Sequence, residues 1–496
     1  MNVTRGVILK TISNIIVKAT WFVTFPIMAR YLGSDGYGAY GQLMTVMTFI
    51  VPFASFGVGG AAIVRFMSIN DWTRQNRRWL GKILLFVVSS ACVISLLFAL
   101  LAPVINHLFL GWDRGVELFR WGSAFIFVGA LEMLIYQVLR SRLWLEEYAA
   151  FEIIQTLINV SAIIYLVPRG YGLIYLIKTL IVLKILFYAV MISGFWTWHK
   201  IVASDKETRT ATLTRMMRFG LPMSFVGLGT TLTTLGDRLV IGHYLTAADL
   251  GIYGAVCVFY ALIEALNSPI MLPLYPQLMK VVDGNDPAGV AYVVGNIHKY
   301  SLLVIVPSFF LLSVIVKPLL LLMGGAEFET GLTLIILILL RGVVGKFNSI
   351  AHYMLMCKDR VVFIQNSLIA AGLANLALSY IIVPYMGLTG AALSGLICFV
   401  ALESVVFLQA SRYAPLKSLY RMDILAKATV ASLAAIGVIM LWNTHLAPDK
   451  FQLLFATAVF GAVYLAVIVI LKGIDRSDIE KVIKALAPKI ISRKQD

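Results

Sequence analysis

The chain is predicted to be an all-α polytopic membrane protein. It should have about 14 transmembrane helices, as two parallel-repeat six-helix bundles plus an extra C-terminal helix pair. Three observations carry this. Of 496 residues, 60% are hydrophobic and 13% charged, against roughly 25% charged in soluble proteins. Fourteen apolar runs fill most of the chain, and a run of about 20 residues spans a bilayer as a helix. An eleven-residue motif also occurs twice, as YLGSDGYGAYG over 31–41 and YLTAADLGIYG over 244–254. The copies agree at Tyr31/Tyr244, Leu32/Leu245, Gly38/Gly251, Tyr40/Tyr253 and Gly41/Gly254.

The elements follow in order. Run 1 (7–32) contains Lys18 and is not followed by a small-residue cleavage site. It therefore reads as a retained helix, not a signal peptide. The motif joins it to run 2 (37–64), and its glycines suit a tight turn there. Asp35, or Asp249 in the second copy, suits the start of the following helix. Tyr37, Tyr40 and Tyr253 suit a membrane interface. Runs 3 to 6 are 83–106, 117–139, 148–167 and 172–198, and the polar, basic stretch 199–218 then divides the halves. Runs 7 to 12 are 219–242, 251–279, 300–322, 331–356, 362–383 and 387–410. They repeat the pattern: Asn159 and Pro168 end run 5, and Asn375 and Pro384 end run 11, an offset of 216 residues. Six helices per copy is an even number, so both halves enter the membrane in the same direction, about an axis along its normal. Runs 13 and 14 (424–442, 452–471) have no counterpart. The expected division is 1–212, 213–412, an appended pair in 413–472 and a basic cytoplasmic tail in 473–496. That tail alternates apolar and basic residues, as a helix on the inner leaflet or a frayed end would. Prolines 26, 52, 222, 269, 273, 276 and 307 lie within runs and are expected to bend them.

A net charge of +16 raises nucleic acid as a partner, but its placement excludes that. Most Lys and Arg lie on the side that holds the N-terminus, including Arg74, Arg77, Arg78, Arg140, Lys280, Arg360 and Arg421. The other side holds Arg30, Arg114, Arg120, Arg169, Lys317 and Lys450. This bias places both termini in the cytoplasm and adds attraction to anionic membrane lipids. The four cysteines are far apart and lack ligand spacing, so no metal is expected.

Catalytic motifs are absent: there is no P-loop, no GxSxG and no paired histidines. No enzyme activity and no bound cofactor are expected. The informative residues are ionisable groups inside apolar runs, which usually face an interior or a hydrated cavity. The cations are Lys18, Lys178, Lys184, Arg238, Arg341 and Lys346; the acids are Glu132, Asp237, Glu264 and Glu403. Polar residues extend some of them into stripes. Thr11, Asn14 and Lys18 follow i, i+3, i+7 spacing; Ser224, Thr231 and Arg238 recur every seven residues. Arg341, Asn348 and His352 fall within about 40° of one another on a helix. Glu264 precedes Asn267 and Ser268, and Glu132 precedes Tyr136. Two readings stand side by side: a cavity lined by these stripes, or interhelical ion pairs such as Glu132 or Glu264 with a lysine. Asp237 and Arg238 lie near a helix end and read as a surface pair. Six cations against four acids leave a modest positive excess, which suits an anionic cargo.

The motif ARYLGSDGYGAYG, RFGLP opening run 7, HYLTAADLGIYG after it and the VP-plus-glycine turns after runs 5 and 11 resemble one family. It is the polysaccharide transporter family of the multidrug/oligosaccharidyl-lipid/polysaccharide exporter superfamily, whose members similar to this chain are Wzx-type flippases. The resemblance covers nearly all of residues 1–412. It implies two six-helix bundles working by alternating access. It also implies a cargo of undecaprenyl-pyrophosphate-linked oligosaccharide repeat units, moved from the inner to the outer leaflet of a bacterial inner membrane for O-antigen, capsule or exopolysaccharide assembly. In this reading Lys18, Arg238, Arg341, Lys178 and Lys346 attract the pyrophosphate. Asn14, Thr231 and Asn348 bond the glycan. Glu132, Glu264 and Glu403 are candidates for coupling to a proton or sodium gradient. The implied partners are the lipid-linked anionic oligosaccharide, membrane lipids, and the polymerase and glycosyltransferases of the same pathway. A cation-coupled multidrug exporter of the same superfamily is the alternative.

Overall fold

A backbone crossing lipid has no water to bond, so it must satisfy its own polar groups, and a helix does so within one segment. The computed structural model describes residues 9–10, 13–14, 16–63, 74–198, 213–271, 274–442 and 449–474. Among these, all regular structure is helical. The N-terminal half contains α1 (Trp21–Ala54), a π-helical turn (Val58–Ala62), α2 (Arg74–Leu100), α3 (Ala102–Phe109), α4 (Gly115–Gly122), α5 (Ala124–Ser141), α6 (Leu145–Leu166) and α7 (Leu173–Trp198). After it come α8 (Leu213–Tyr244), α9 (Ala247–Met271), α10 (Leu274–Asp283), α11 (Pro287–Gly324), α12 (Leu332–Phe347), α13 (Ser349–Cys357) and α14 (Val361–Ala410). A short helix α15 (Leu416–Leu419), α16 (Met422–Trp442) and α17 (Lys450–Ile470) complete the described chain. The tail after 474, Thr11, Pro273 and most of the stretch 199–218, for which the sequence raised expectations, lie outside the described residues.

Ten helices among the described residues are long and apolar enough to cross a membrane, fewer than the fourteen expected. Runs 11 and 12 merge into α14, and α1 and α8 carry too many glycine, threonine and other polar residues to meet the standard. The motif after run 1 is not a loop. α1 continues through it and breaks only at Gly33 (φ 71°, ψ −179°), a backbone region that is essentially glycine-only. Gly387 (φ 57°, ψ −138°) breaks α14 in the same way between runs 11 and 12. Pro26 and Pro52 lie inside continuous α1.

The chain packs as two compact units. The first holds Met1–Ala255, Met323–Glu329 and Gln365–Cys398; the second holds Val256–Leu322, Thr330–Ile364 and Phe399–Asp496. This grouping follows packing rather than sequence duplication, since α8 packs on α1 in the first unit. There the duplicated motifs meet. A Cβ on Gly38 would lie 1.7 Å from the Ala247 carbonyl oxygen, and one on Gly251 2.3 Å from the Ser34 carbonyl oxygen. Two equivalent glycines thus let α1 and α9 cross backbone to backbone. After the Gly33 break, the N–H of Ser34 donates to Glu327 Oε2 at 2.9 Å, and the Ser34 hydroxyl donates to the same oxygen at 3.2 Å. Glu327, rather than Asp35, therefore caps this helical segment, where the helix dipole favours a carboxylate. On α9 the cap is Thr246 rather than Asp249: the Thr246 hydroxyl accepts from the Asp249 N–H at 3.1 Å, and Asp249 Oδ2 accepts in return from the Thr246 N–H at 3.0 Å.

In the second unit α16 and α17 pair closely. Ala428, Ala431, Ala435 and Ala456 are fully buried in a cluster with Leu302 and Val306 of α11. Small residues let membrane helices approach. The Tyr464 hydroxyl donates to the Leu303 carbonyl at 3.1 Å.

Candidate functional site

In the first unit, two polar clusters form around Glu132 and Glu152. Glu132 of α5 accepts from Lys184 Nζ of α7 at 3.0 Å and from Gln155 Nε2 of α6 at 3.1 Å. Gln155 Oε1 in turn accepts from the Tyr136 hydroxyl at 2.8 Å, so Gln155 bridges the Glu132–Tyr136 turn. The second cluster joins the N-terminal helical residues to α6. Lys10 Nζ lies 2.5 Å from Glu152 Oε2, and the Ser13 hydroxyl donates to the same oxygen. Lys10 also donates to Asn14 Oδ1 at 2.9 Å and stands 4.3 Å from the Tyr148 ring centroid. Glu152 and Lys10 were not among the sequence candidates. Glu152 sits inside run 5, and its presence there is the available signal.

The other first-unit candidates are more dispersed. Lys178 reaches Glu117 at 3.4 Å and lies 4.6 Å from the Trp121 ring centroid. Lys18 is exposed and has no hydrogen bond or ion pair among the described residues. Thr231 donates to the Gly227 carbonyl of its own helix at 3.1 Å. The Arg238 N–H donates to Asp237 Oδ1 at 3.0 Å. Asp237 is not a surface group: it is 1% exposed and accepts from the Tyr253 hydroxyl at 2.6 Å. Tyr253 is likewise fully buried rather than interfacial, because a buried carboxylate needs a donor. Asn375, Ser379 and Ser394 form a further buried knot, with the two serine hydroxyls 2.6 Å apart.

In the second unit, α12, α13 and α14 bring several candidates together. Lys346 Nζ bonds Glu264 Oε1 at 2.8 Å. Arg341 is buried, with its guanidinium 5.4 Å from the Phe399 ring centroid. Asn348 sits at the junction of α12 and α13 (φ −98°, ψ 4°). Its Nδ2 donates to Glu403 Oε2 at 2.7 Å and to the Glu403 carbonyl at 2.8 Å. His352 Nε2 lies 3.1 Å from the same carboxylate oxygen. The Tyr420 hydroxyl donates to Asn348 Oδ1 at 3.0 Å. Burial pushes the Tyr420 phenol up, so it remains a donor. Asn267, which shares a turn with Glu264, instead accepts from Ser301 at 2.8 Å. The arrangement holds carboxylates between helices by exchangeable partners. No group of three or more metal-ligating side chains occurs among the described residues.

Residues 27–331 match the polysaccharide biosynthesis protein family. The probable low-salt glycan biosynthesis flippase Agl15 of Haloferax volcanii is 22% identical over 472 residues, covering 95% of this chain and 96% of that one. The succinoglycan biosynthesis transport protein ExoT of Rhizobium meliloti is 21% identical over 327 residues, covering 66% and 63%. Among solved structures, the lipid II flippase MurJ in its inward closed conformation superposes with a TM-score of 0.73 at 16% identity, covering 93% and 98%. An inward-facing multidrug resistance MATE family transporter of the MOP superfamily gives 0.58 at 16% identity, covering 81% and 95%. The chain is a multi-span membrane protein of the polysaccharide biosynthesis protein family.

Proposed function

We propose that this protein is a flippase for lipid-linked oligosaccharides. It moves undecaprenyl-pyrophosphate-linked repeat units from the inner to the outer leaflet of a bacterial inner membrane by alternating access, with both termini cytoplasmic and without chemical conversion of the cargo. The observation that carries this is the match to a glycan biosynthesis flippase over nearly the full length of both chains. The near-complete coverage matters because a shared fold alone does not fix a cargo.

The geometry supports the following roles. Lys18 is the readiest cation for the pyrophosphate, having no partner among the described residues. Arg238 and Arg341 add permanent positive charge. Lys178 and Lys346 bind phosphate only by exchanging their carboxylates, Glu117 and Glu264. Each such exchange frees an acid, which then needs a proton or another cation. For Glu264 that links cargo binding to a gradient, and Glu132 and Glu403 are the other coupling candidates. Asn14, Thr231 and Asn348 supply hydrogen bonds for sugar hydroxyls. The isoprenoid tail stays in lipid. Apolar grooves of 880 and 960 Å³ run along α6 and α7 and meet at Ile154, and they suit such a chain. The polymerase and glycosyltransferases of the pathway would act before and after this step.

The test is glycan export in cells lacking the native gene. Lys18→Ala and Arg341→Ala should each abolish surface glycan while the protein stays in the membrane at wild-type amounts. Wild-type export from both variants contradicts the assignment. Drug accumulation altered by these variants, with glycan export intact, would instead favour the multidrug exporter.

A further inference from the structure

Glu403 differs from the other two coupling candidates in the atoms that face it. Glu132 and Glu264 each meet a lysine, at 3.0 and 2.8 Å. Protonating either would strand a cation in a low-dielectric site, which is unfavourable. Glu403 is 6% exposed, and the partners described at its carboxylate are nitrogens of a neutral amide and an imidazole. Asn348 Nδ2 donates to Oε2 at 2.7 Å, and His352 Nε2 stands 3.2 Å from Oε1 and 3.1 Å from Oε2. The amide cannot flip without loss, because its oxygen accepts from Tyr420. A hard metal cation needs several oxygen ligands, and N–H groups aimed at the carboxylate are the wrong set for one. A proton needs a single oxygen and leaves no lysine stranded.

We infer that Glu403 and His352 form a proton-binding site in the second unit, loaded at the Glu403 carboxylate and emptied during the transport cycle. Its place in the cycle rests on the flippase reading; its existence does not. The surrounding charges fit reversible loading. Arg341 lies over Phe399, one turn before Glu403 on α14. The Glu264–Lys346 pair is already neutralised, and Tyr260 of α9 lies within electrostatic reach of Arg341, Glu264 and Glu403. Behind Tyr420, His298 Nδ1 accepts the Arg421 N–H at 2.9 Å, so that nitrogen carries no proton. When Glu403 takes a proton, its carboxyl O–H no longer accepts at that oxygen, and one N–H contact is given up. Asn348 is the residue at which α12 passes into α13. Loading therefore acts at the joint of the helix that carries Arg341 and Lys346.

Infrared difference spectroscopy on the full-length protein in lipid nanodiscs tests this. The sample is acidified from about pH 8 to about pH 5 in sodium-free buffer, a span that covers shifted carboxylates. A protonated-carboxyl carbonyl band is expected in the wild type, in Glu132→Gln and in Glu264→Gln, and its loss in Glu403→Gln. Glutamine keeps the shape and an acceptor oxygen, so this variant should fold. His352→Asn keeps a nitrogen donor and should shift the midpoint of the band without removing it. A spectrum in Glu403→Gln equal to wild type overturns the inference. A second arm uses proteoliposomes holding an undecaprenyl-pyrophosphate-linked glycan. An imposed proton gradient should accelerate wild-type flipping, and Glu403→Gln should lose that acceleration. Acceleration by a sodium gradient alone overturns the transport role. If the wild type moves no glycan under any gradient, the flippase reading fails, and the infrared result still decides the site.

Discussion

The Asn348–Glu403 contact gives a buried carboxylate one amide donor, at 2.7 Å. Asn348→Leu should leave Glu403 short of a donor and destabilise the protein by about 1–3 kcal/mol, read as a lower thermal midpoint in detergent. Asn348→Leu with Glu403→Leu should recover part of that loss, because an apolar pair no longer buries an unmet charge. Equal midpoints for wild type and the single variant would contradict the role given to this contact. The repeated glycines allow a sharper comparison. A Cβ at Gly38 or Gly251 meets backbone atoms, whereas Gly41 and Gly254 have nothing within 4 Å. Gly38→Ala and Gly251→Ala should each cost about 1–3 kcal/mol of overpacking, and Gly41→Ala and Gly254→Ala should leave the midpoint unchanged. The four positions are identical in both copies of the motif, so sequence identity alone does not rank them. The same limit applies to the ion pairs. Periodicity says which face of a helix Lys178 or Lys346 occupies, but not that Glu117 or Glu264 meets it. That information lies in the packing of other helices.

At the scale of elements, the apolar runs were legible because a helix in lipid needs only length and apolar composition. The joints were harder to read. The motif looked like a turn, and only Gly33 turns; the remaining residues continue α1. A glycine that bends and a glycine that lets helices touch look alike in sequence. The breaks at Gly33 and Gly387 occupy similar glycine-only backbone, at φ 71° and 57°. Gly33→Ala and Gly387→Ala should each cost about 1–3 kcal/mol, with lower thermal midpoints. Alanine tolerated at both sites would mean that α1 and α14 do not need these breaks. The Glu327 cap was not legible either, because 293 residues separate Glu327 from Ser34, and no local pattern spans that distance.

For the whole molecule, charge and duplication point the same way. In the sequence reading, the basic residues lie mostly on one face, and an even number of helices per repeat returns each half to that face. A fluorescent reporter fused to either terminus should therefore light up in the cytoplasm, whereas an alkaline phosphatase fused at either terminus should stay inactive. Activity of the phosphatase at one end would break the duplicated-unit account. The central claim concerns cargo, and one measurement addresses it most directly. The purified protein is placed in proteoliposomes with a fluorescent undecaprenyl-pyrophosphate oligosaccharide in the inner leaflet, and arrival of the glycan at the outer leaflet is followed with a membrane-impermeant lectin. The expected result is protein-dependent transfer that is lost in Lys18→Ala, with diacyl phospholipids left unmoved. Transfer no faster than in protein-free vesicles, under either a proton or a sodium gradient, would contradict it.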